Sequence, residues 1–528
     1  MRIPDNKTRL FSAGFEIAII VLILFIAAYL RFYNIADNPG WYSDEGTLVE
    51  VAQNLTEGKI QYLAINKSTL LAARLPLFTS ILAFIFSFAE SGITPLRYLT
   101  AGLGVVTVGL LYWVVKQINE RENVILALTA AFFLAIYPPA ILYSRLGFSY
   151  NLLAPLVVTL LLFLCKYLKT GESRWILVSG LLVGLGSISD LMMFTFTPVI
   201  VLLVLYKRWK DLFLSLSLTF LPFAVYCLVM YLSQGEAFVY DFKFTFFRLG
   251  EIPLIAQYPY VAFNYAALIF KDYWWTLAVI GLFLLSDEKL KYLSLLLFFV
   301  PVFMMARTAS LPGLGLYYLS PLFPLIAFGA ADLLVQGTPY VIKVLKKGFE
   351  LFVDQYINRN NLDRIINFSI FIGVSLILFL IALSPFVITF ALGAYQAQTS
   401  LQPEISPVLV DANDAKKSID YVNRNIKEED LVLASPAIAW AIESNAADFQ
   451  MAVASKGGDT KHFPNDIPKD RFSFDPDYEK AAYIIIDPIW INWAVPNMIE
   501  VEMMVNKVQE WPLVFSSGEI DVYKNPGK

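Results

Sequence analysis

Residues 75–89, LPLFTSILAFIFSFA, are the shortest of twelve apolar runs in the chain, and their reading decides how it threads a membrane. The other runs lie at about 12–31, 98–115, 124–142, 152–168, 175–190, 191–206, 211–232, 267–285, 291–306, 316–336 and 367–394. Each is close to the roughly 20 residues that span a bilayer as a helix, whereas fifteen are few for a span. The positive-inside rule separates the two readings. If 75–89 does not cross, five loops share the side of the N-terminus and together carry 15 Lys and Arg residues, from Lys116 to Arg364. If it does cross, all 15 move to the opposite side. We therefore expect 75–89 to be a re-entrant or interfacial helix on the outer face. That leaves eleven spans, a cytoplasmic N-terminus and an extracytoplasmic C-terminal region. The opening MRIPDNKTRL resembles a signal n-region, but the apolar run after it is long and no small-residue cleavage site follows, so it reads as an uncleaved first span.

Composition requires such a fold. Of 528 residues, 57% are apolar, 15% aromatic and only 16% charged, with a mean hydropathy of +0.60. A single soluble core cannot bury that excess, because cores stop growing at about 250–300 residues. A soluble enzyme, a disordered chain and a nucleic-acid binder are excluded together. Charge divides the chain in two: residues 396–528 hold 12 basic and 21 acidic residues, net −9, and residues 1–395 hold 28 and 23, net +5. The expected architecture is an α-helical polytopic domain, 1–395, followed by a small extracytoplasmic α/β domain, 396–528. In the latter, DANDAKKSIDYVNRNI has helical periodicity, while LVLAS, YIIID and the PLVFSSGEIDVY pair read as strands. The aromatics of DPIWINWAVP suit a membrane surface.

The scarce side chains narrow the chemistry. The single histidine, His462, lies in the acidic C-terminal region, and the two cysteines, Cys165 and Cys227, lie inside apolar runs. A disulfide framework, a Cys/His zinc site and a Ser-His or Cys-His nucleophile in the membrane part are thereby excluded. Neither a phosphate-binding P-loop nor a dinucleotide-binding glycine motif is found.

The first outer loop, about 32–97, contains WYSDEGTLVEVAQNLTEGK, in which Asp44 and Glu45 open a short amphipathic helix. The pair has two readings: acids that favour a helix N-terminus by about 0.3–1 kcal/mol, or a general base or hard-metal ligand at the membrane surface. Six cations recur on this face at the ends of apolar runs: Arg74, Arg97, Arg145, Lys243, Arg248 and Arg307. Each alone is compatible with snorkelling at the interface. Together, beside carboxylates, they suit a phosphate. Water-soluble activated sugars and ATP are cytoplasmic, so a charged site facing outward calls for a donor delivered within the membrane.

Several stretches resemble a family, the GT-C superfamily of integral-membrane glycosyltransferases, in the branch of protein O-mannosyltransferases and the lipid A aminoarabinose transferase. They are the Asp44-Glu45 loop, ARLPL at 73–77, Arg97 leading into a span, SRLGFSYN at 144–151 and YLSPLFP at 318–324. The resemblance implies transfer of a sugar from a polyprenyl-phosphate donor to a protein, lipid or glycan acceptor, with inversion. Asp44 would be the base, with Glu45 beside it. The six cations would bind the donor phosphate, and Tyr42, Asn151, Tyr317 and Tyr318 would line the sugar pocket. No cofactor is required by this scheme, and a divalent cation is compatible with it. Asn151 stands where related proteins often carry Asp, which weakens a two-carboxylate metal site. An oligosaccharyltransferase or glycan polymerase, and a transporter of lipid-linked sugars, are the alternatives. No internal repeat of the kind that marks transporters is visible.

Overall fold

The computed structural model describes residues 6–67, 76–118, 124–247, 259, 273–305, 316–337, 347, 384, 387–395 and 406–528. The chain is an α-helical membrane protein with a small C-terminal α/β unit. Among the described residues, five helices are long and apolar enough to cross a membrane: Gly14–Phe32, Ile93–Ile118, Tyr150–Thr170, Trp209–Gln234 and Tyr317–Gly337. The first three belong to helices α1 (Asn6–Phe32), α4 (Ile93–Ile118) and α7 (Tyr150–Thr170). The expected span at 124–142 is instead two helices, α5 (Val124–Ile136) and α6 (Pro138–Arg145), bent by 57°. Pro138 and Pro139 cause the break, because neither has an N–H to continue the hydrogen-bond ladder.

The runs at 175–190, 191–206 and 267–285 appear as the shorter helices Ser173–Ser187 (α8), Leu191–Lys207 and Tyr273–Leu284. That at 367–394 lies largely outside the described residues. Residues 75–89 form α3 (Pro76–Phe86), 11 residues long. At about 1.5 Å per residue this helix is roughly half the thickness of a hydrocarbon core. Its first turn meets the α8 terminus, where Leu77 N–H donates to Ile188 O at 2.9 Å.

Two faces are distinct. At one, lysines meet helix C-termini, where the free carbonyls attract cations: Lys169 Nζ donates to Ile118 O at 2.7 Å and Lys207 Nζ to Leu168 O at 3.2 Å. At the other lie α2 (Ser43–Thr56), the hairpin β1–β2 (Gln61–Tyr62 and Ile65–Asn66), α3 and the C-terminal unit.

That unit is built on a five-stranded sheet in the order β4-β3-β5-β7-β6, with strands β3 (Leu431–Ala434), β4 (Asn445–Asp448), β5 (Tyr483–Ile486), β6 (Leu513–Ser517) and β7 (Ile520–Lys524). Strands β3, β4 and β5 are parallel; β7 is antiparallel to β5 and β6. The helix Ala412–Asn423 and strands β3, β5, β6 and β7 fall where the sequence pattern places them, and β4 is an addition. The aromatics of 487–496 are not all at the surface: Trp490 is buried against Phe449, with ring centroids 4.8 Å apart.

Buried apolar residues form two large clusters. One fills the helix bundle. The other is shared by α2, the β1–β2 hairpin, α3 and the C-terminal sheet. The first outer loop and the C-terminal unit therefore have a common core, although more than 300 residues separate them in sequence.

Candidate active site

Glu45 is fully buried, and its carboxylate is saturated. Its Oε1 accepts from Arg97 Nε at 2.7 Å and Gly147 N at 2.8 Å; Oε2 accepts from Arg97 Nη2 at 2.6 Å and Tyr42 N at 3.0 Å. The last bond caps the N-terminus of α2. Arg97 is equally committed. Its remaining N–H groups donate to Ile35 O at 3.0 Å, Pro39 O at 2.6 Å and Gly40 O at 2.8 Å. All five guanidinium donors are thus engaged. These two residues depart from the expected roles: Glu45 is a structural carboxylate and Arg97 braces the turn before α2, leaving no donor for a phosphate.

Arg145 is likewise turned inward. It is buried and donates to Leu30 O at 3.0 Å, Arg31 O at 3.3 Å, Asn34 O at 3.5 Å and Asn38 O at 2.6 Å. These carbonyls lie at and just past the C-terminus of α1, where a cation is favoured. Lys243 is exposed on α11 (Glu236–Phe247). Arg74, Arg248 and Arg307 lie outside the described residues. Asn151 is buried with its amide nitrogen turned to the backbone. Its Nδ2 donates to Tyr143 O, Leu146 O and Phe148 O at 2.8, 3.2 and 3.0 Å. A carboxylate cannot make these bonds, which accounts for an amide at this position.

Asp44 differs from its neighbour. It is half-buried at the start of α2 and lies within electrostatic reach of the hydroxyls of Tyr150 and Tyr317. Those tyrosines belong to an aromatic cluster that gathers three of the expected pocket residues. Tyr42 packs edge-on against Phe148 at 5.5 Å, Phe148 stacks on Tyr317 at 5.1 Å, and Tyr317 meets Tyr318 at 4.3 Å. Tyr150 closes the group at 5.4 Å from Tyr318. A second acid faces the same tyrosine: Asp190 also lies within electrostatic reach of Tyr150. It caps the 3-10 turn Leu191–Phe196 by accepting from Met192 N at 2.9 Å. In sequence, Asp190 is the last residue of the run 175–190. Its nearness to Tyr150 is visible only in the fold.

Next to the aromatic cluster is a small cavity of about 30 Å³, bordered by Arg31, Tyr143, Ser144, Asn151, Ser320 and Phe323 among others. Arg31, which the sequence pattern did not single out, is fully buried there. Gly104 makes room for it, since a Cβ at that position would come within 2.9 Å of Arg31 Nε. Among the described residues no three His, Cys, Asp or Glu side chains converge as metal ligands.

Residues 73–234 match the family model of dolichyl-phosphate-mannose-protein mannosyltransferase. The structure resembles ArnT from Cupriavidus metallidurans bound to undecaprenyl phosphate, with TM-score 0.60 and 12% identity, over 97% of this chain and 98% of that one. It is similar to the apo state of the same protein, with TM-score 0.58 and 12% identity, over 98% of each chain. The Archaeoglobus fulgidus oligosaccharyltransferase tethered with an acceptor peptide aligns with TM-score 0.51 and 14% identity, over 92% of this chain and 72% of that one. At such identities the likeness is one of fold. No curated protein sequence matches the chain.

Proposed function

We propose that the protein transfers a sugar from a polyprenyl-phosphate donor to an acceptor hydroxyl or amine at the face that carries the α/β unit. The observation that carries this reading is the contrast between two adjacent carboxylates. Glu45 is consumed by four hydrogen bonds, whereas Asp44 is half-exposed beside the tyrosine cluster. A base needs access to the proton it removes, and only Asp44 of the pair has it.

Asp44 accepts the acceptor's proton as the nucleophile attacks the anomeric carbon with inversion. The leaving group is a phosphate, so no general acid is required. Charge that grows on its oxygens is met by cations of the outer loops: Lys243 and, by the resemblance, Arg74, Arg248 and Arg307. The aromatic faces of Tyr42, Tyr317 and Tyr318 provide a wall for the sugar, and the apolar helices take the polyprenyl tail. We read the face carrying the α/β unit as extracytoplasmic; Lys169 and Lys207, which meet helix C-termini at the opposite face, support this reading.

The test is release of polyprenyl phosphate from a synthetic lipid-linked sugar by purified protein in detergent, with a hydroxyl- or amine-bearing acceptor supplied. Detergent removes the compartments, so a transporter releases nothing. Asp44→Asn retains size and removes basicity; it abolishes release while the protein keeps its thermal stability. Near-normal turnover in Asp44→Asn refutes the assignment of the base.

A further inference from the structure

Asp44 sits in a stretch of chain held on both sides by the C-terminal unit. Before it, Trp41 and Val410 exchange backbone hydrogen bonds, Trp41 N to Val410 O at 2.7 Å and Val410 N to Trp41 O at 2.9 Å. The Trp41 ring lies 5.6 Å from that of Trp440. After it, Gly46 lies flush on the short helix Pro436–Ala439, where a Cβ would stand 1.7 Å from the Pro436 carbonyl oxygen. One residue further, Thr47 Oγ1 lies 3.3 Å from the Tyr62 hydroxyl, which donates to Asp448 Oδ2 at 3.2 Å. Thr47, Tyr62 and Asp448 are all buried.

These contacts converge on one edge of the sheet. Pro436 follows β3 by one residue, Asp448 ends β4, and Asp487 follows β5 directly and accepts from the Ser435 hydroxyl. This is the carboxyl edge of the parallel strands, where open α/β sheets ordinarily take small ligands. Here that edge takes α2. A unit whose ligand-binding edge is occupied by the helix that bears Asp44 is built to hold that helix.

We infer that the C-terminal α/β unit is a working part of the active site: it fixes Asp44 by gripping the backbone on either side of it, with Gly46, Tyr62 and Asp448 as positioning residues. The inference rests on Asp44 as the base. The geometry needed is strict, since a displacement of about 1 Å costs on the order of 10²-fold in rate. Neither Tyr62 nor Gly46 touches the reacting groups, so their effect passes through α2.

The experiment uses the full chain in lipid nanodiscs. Tyr62→Phe removes the hydroxyl and keeps the ring that stacks on Phe463. Its kcat should fall by roughly tenfold or more while the donor KM stays within about twofold, because misplacing a base affects the chemical step rather than phosphate binding. Gly46→Ala, which forces α2 away from Pro436, should lower kcat further. Amide hydrogen exchange is read in parallel. In Tyr62→Phe, exchange should rise across residues 43–50 and remain unchanged in α7. Wild-type kcat in Tyr62→Phe, in a protein that Asp44→Asn inactivates, overturns the positioning role alone. If Asp44→Asn is itself active, the assignment of the base has failed, and unchanged exchange across 43–50 in Tyr62→Phe then overturns the grip of the C-terminal unit as well.

Discussion

Arg31 supplies the hydrogen-bond donor that Pro138 lacks. In an unbroken α5 the carbonyl of Leu134 would accept from the amide of residue 138, and that of Ala135 from residue 139. Both positions are proline, and Arg31 Nη2 donates to Leu134 O at 3.1 Å while Nη1 donates to Ala135 O at 3.0 Å. Buried carbonyls left without partners cost about 1–3 kcal/mol each. One guanidinium therefore permits the 57° bend that turns α6 and the 143–148 turn toward the site.

It follows that Arg31→Met should lower the unfolding temperature in detergent by an amount that depends on the prolines. With Pro138→Ala and Pro139→Ala in place, the amides return and the loss from Arg31→Met should shrink. A double-mutant cycle measures this coupling, expected at about 1–3 kcal/mol. Additive effects would show that Arg31 does not serve those carbonyls.

Glu45→Gln should act on folding. An amide nitrogen placed against the guanidinium of Arg97 or against Gly147 N–H replaces attraction with donor facing donor. Breaking one partner of a buried ion pair typically costs about 3–5 kcal/mol. We expect lower yield and an earlier thermal transition for Glu45→Gln and for Arg97→Met, set against wild-type stability in Asp44→Asn. Differential scanning fluorimetry on the three variants distinguishes these outcomes.

Asn151→Asp introduces a further carboxylate near the site, yet it should not improve transfer. It places acceptors against the carbonyls of Tyr143, Leu146 and Phe148 and loses both N–H donors that these carbonyls share. Reduced stability and reduced turnover are expected together. Turnover above wild type would mean that the 143–148 turn can re-form around an acid.

Acidification should stabilise the C-terminal unit. Burial pushes Asp448 and Asp487 up to about 6, above the ordinary carboxylate value of 3.8. In the pH range between those values the folded state binds more protons than the unfolded one, so stability falls as pH rises from about 4 to about 6 and is level above that. Each residue contributes about 1–3 kcal/mol to this change. Thermal unfolding of the full chain at pH 5 and pH 7.5 should show the lower-pH sample more stable in this unit. Asp448→Asn, which does not titrate, should reduce the difference to the share carried by Asp487.

The sequence by itself determined the membrane character, the helical class and the C-terminal helix and strands, because hydropathy and periodicity are local properties that survive whatever packs around them. It also marked 75–89 as short for a span, and the helix there has 11 residues. For the candidate site, the resemblance proposed Asp44 and the tyrosines Tyr42, Tyr317 and Tyr318, and the fold gathers these tyrosines into one aromatic cluster. What it left open were the partners. Adjacent acids Asp44 and Glu45 look alike in one dimension, and only packing against Arg97 and Gly147 buries one and leaves the other half-exposed. Arg97 and Arg145 carry the charge a phosphate needs, but backbone carbonyls from 30–40 reach them first. Arg31, Asp190 and the seat of α2 on the C-terminal sheet depend on contacts across 100 residues or more, or on where helices end. A linear pattern has no record of such distances, and the tertiary fold decides them because a buried polar group must find a partner wherever the chain brings one.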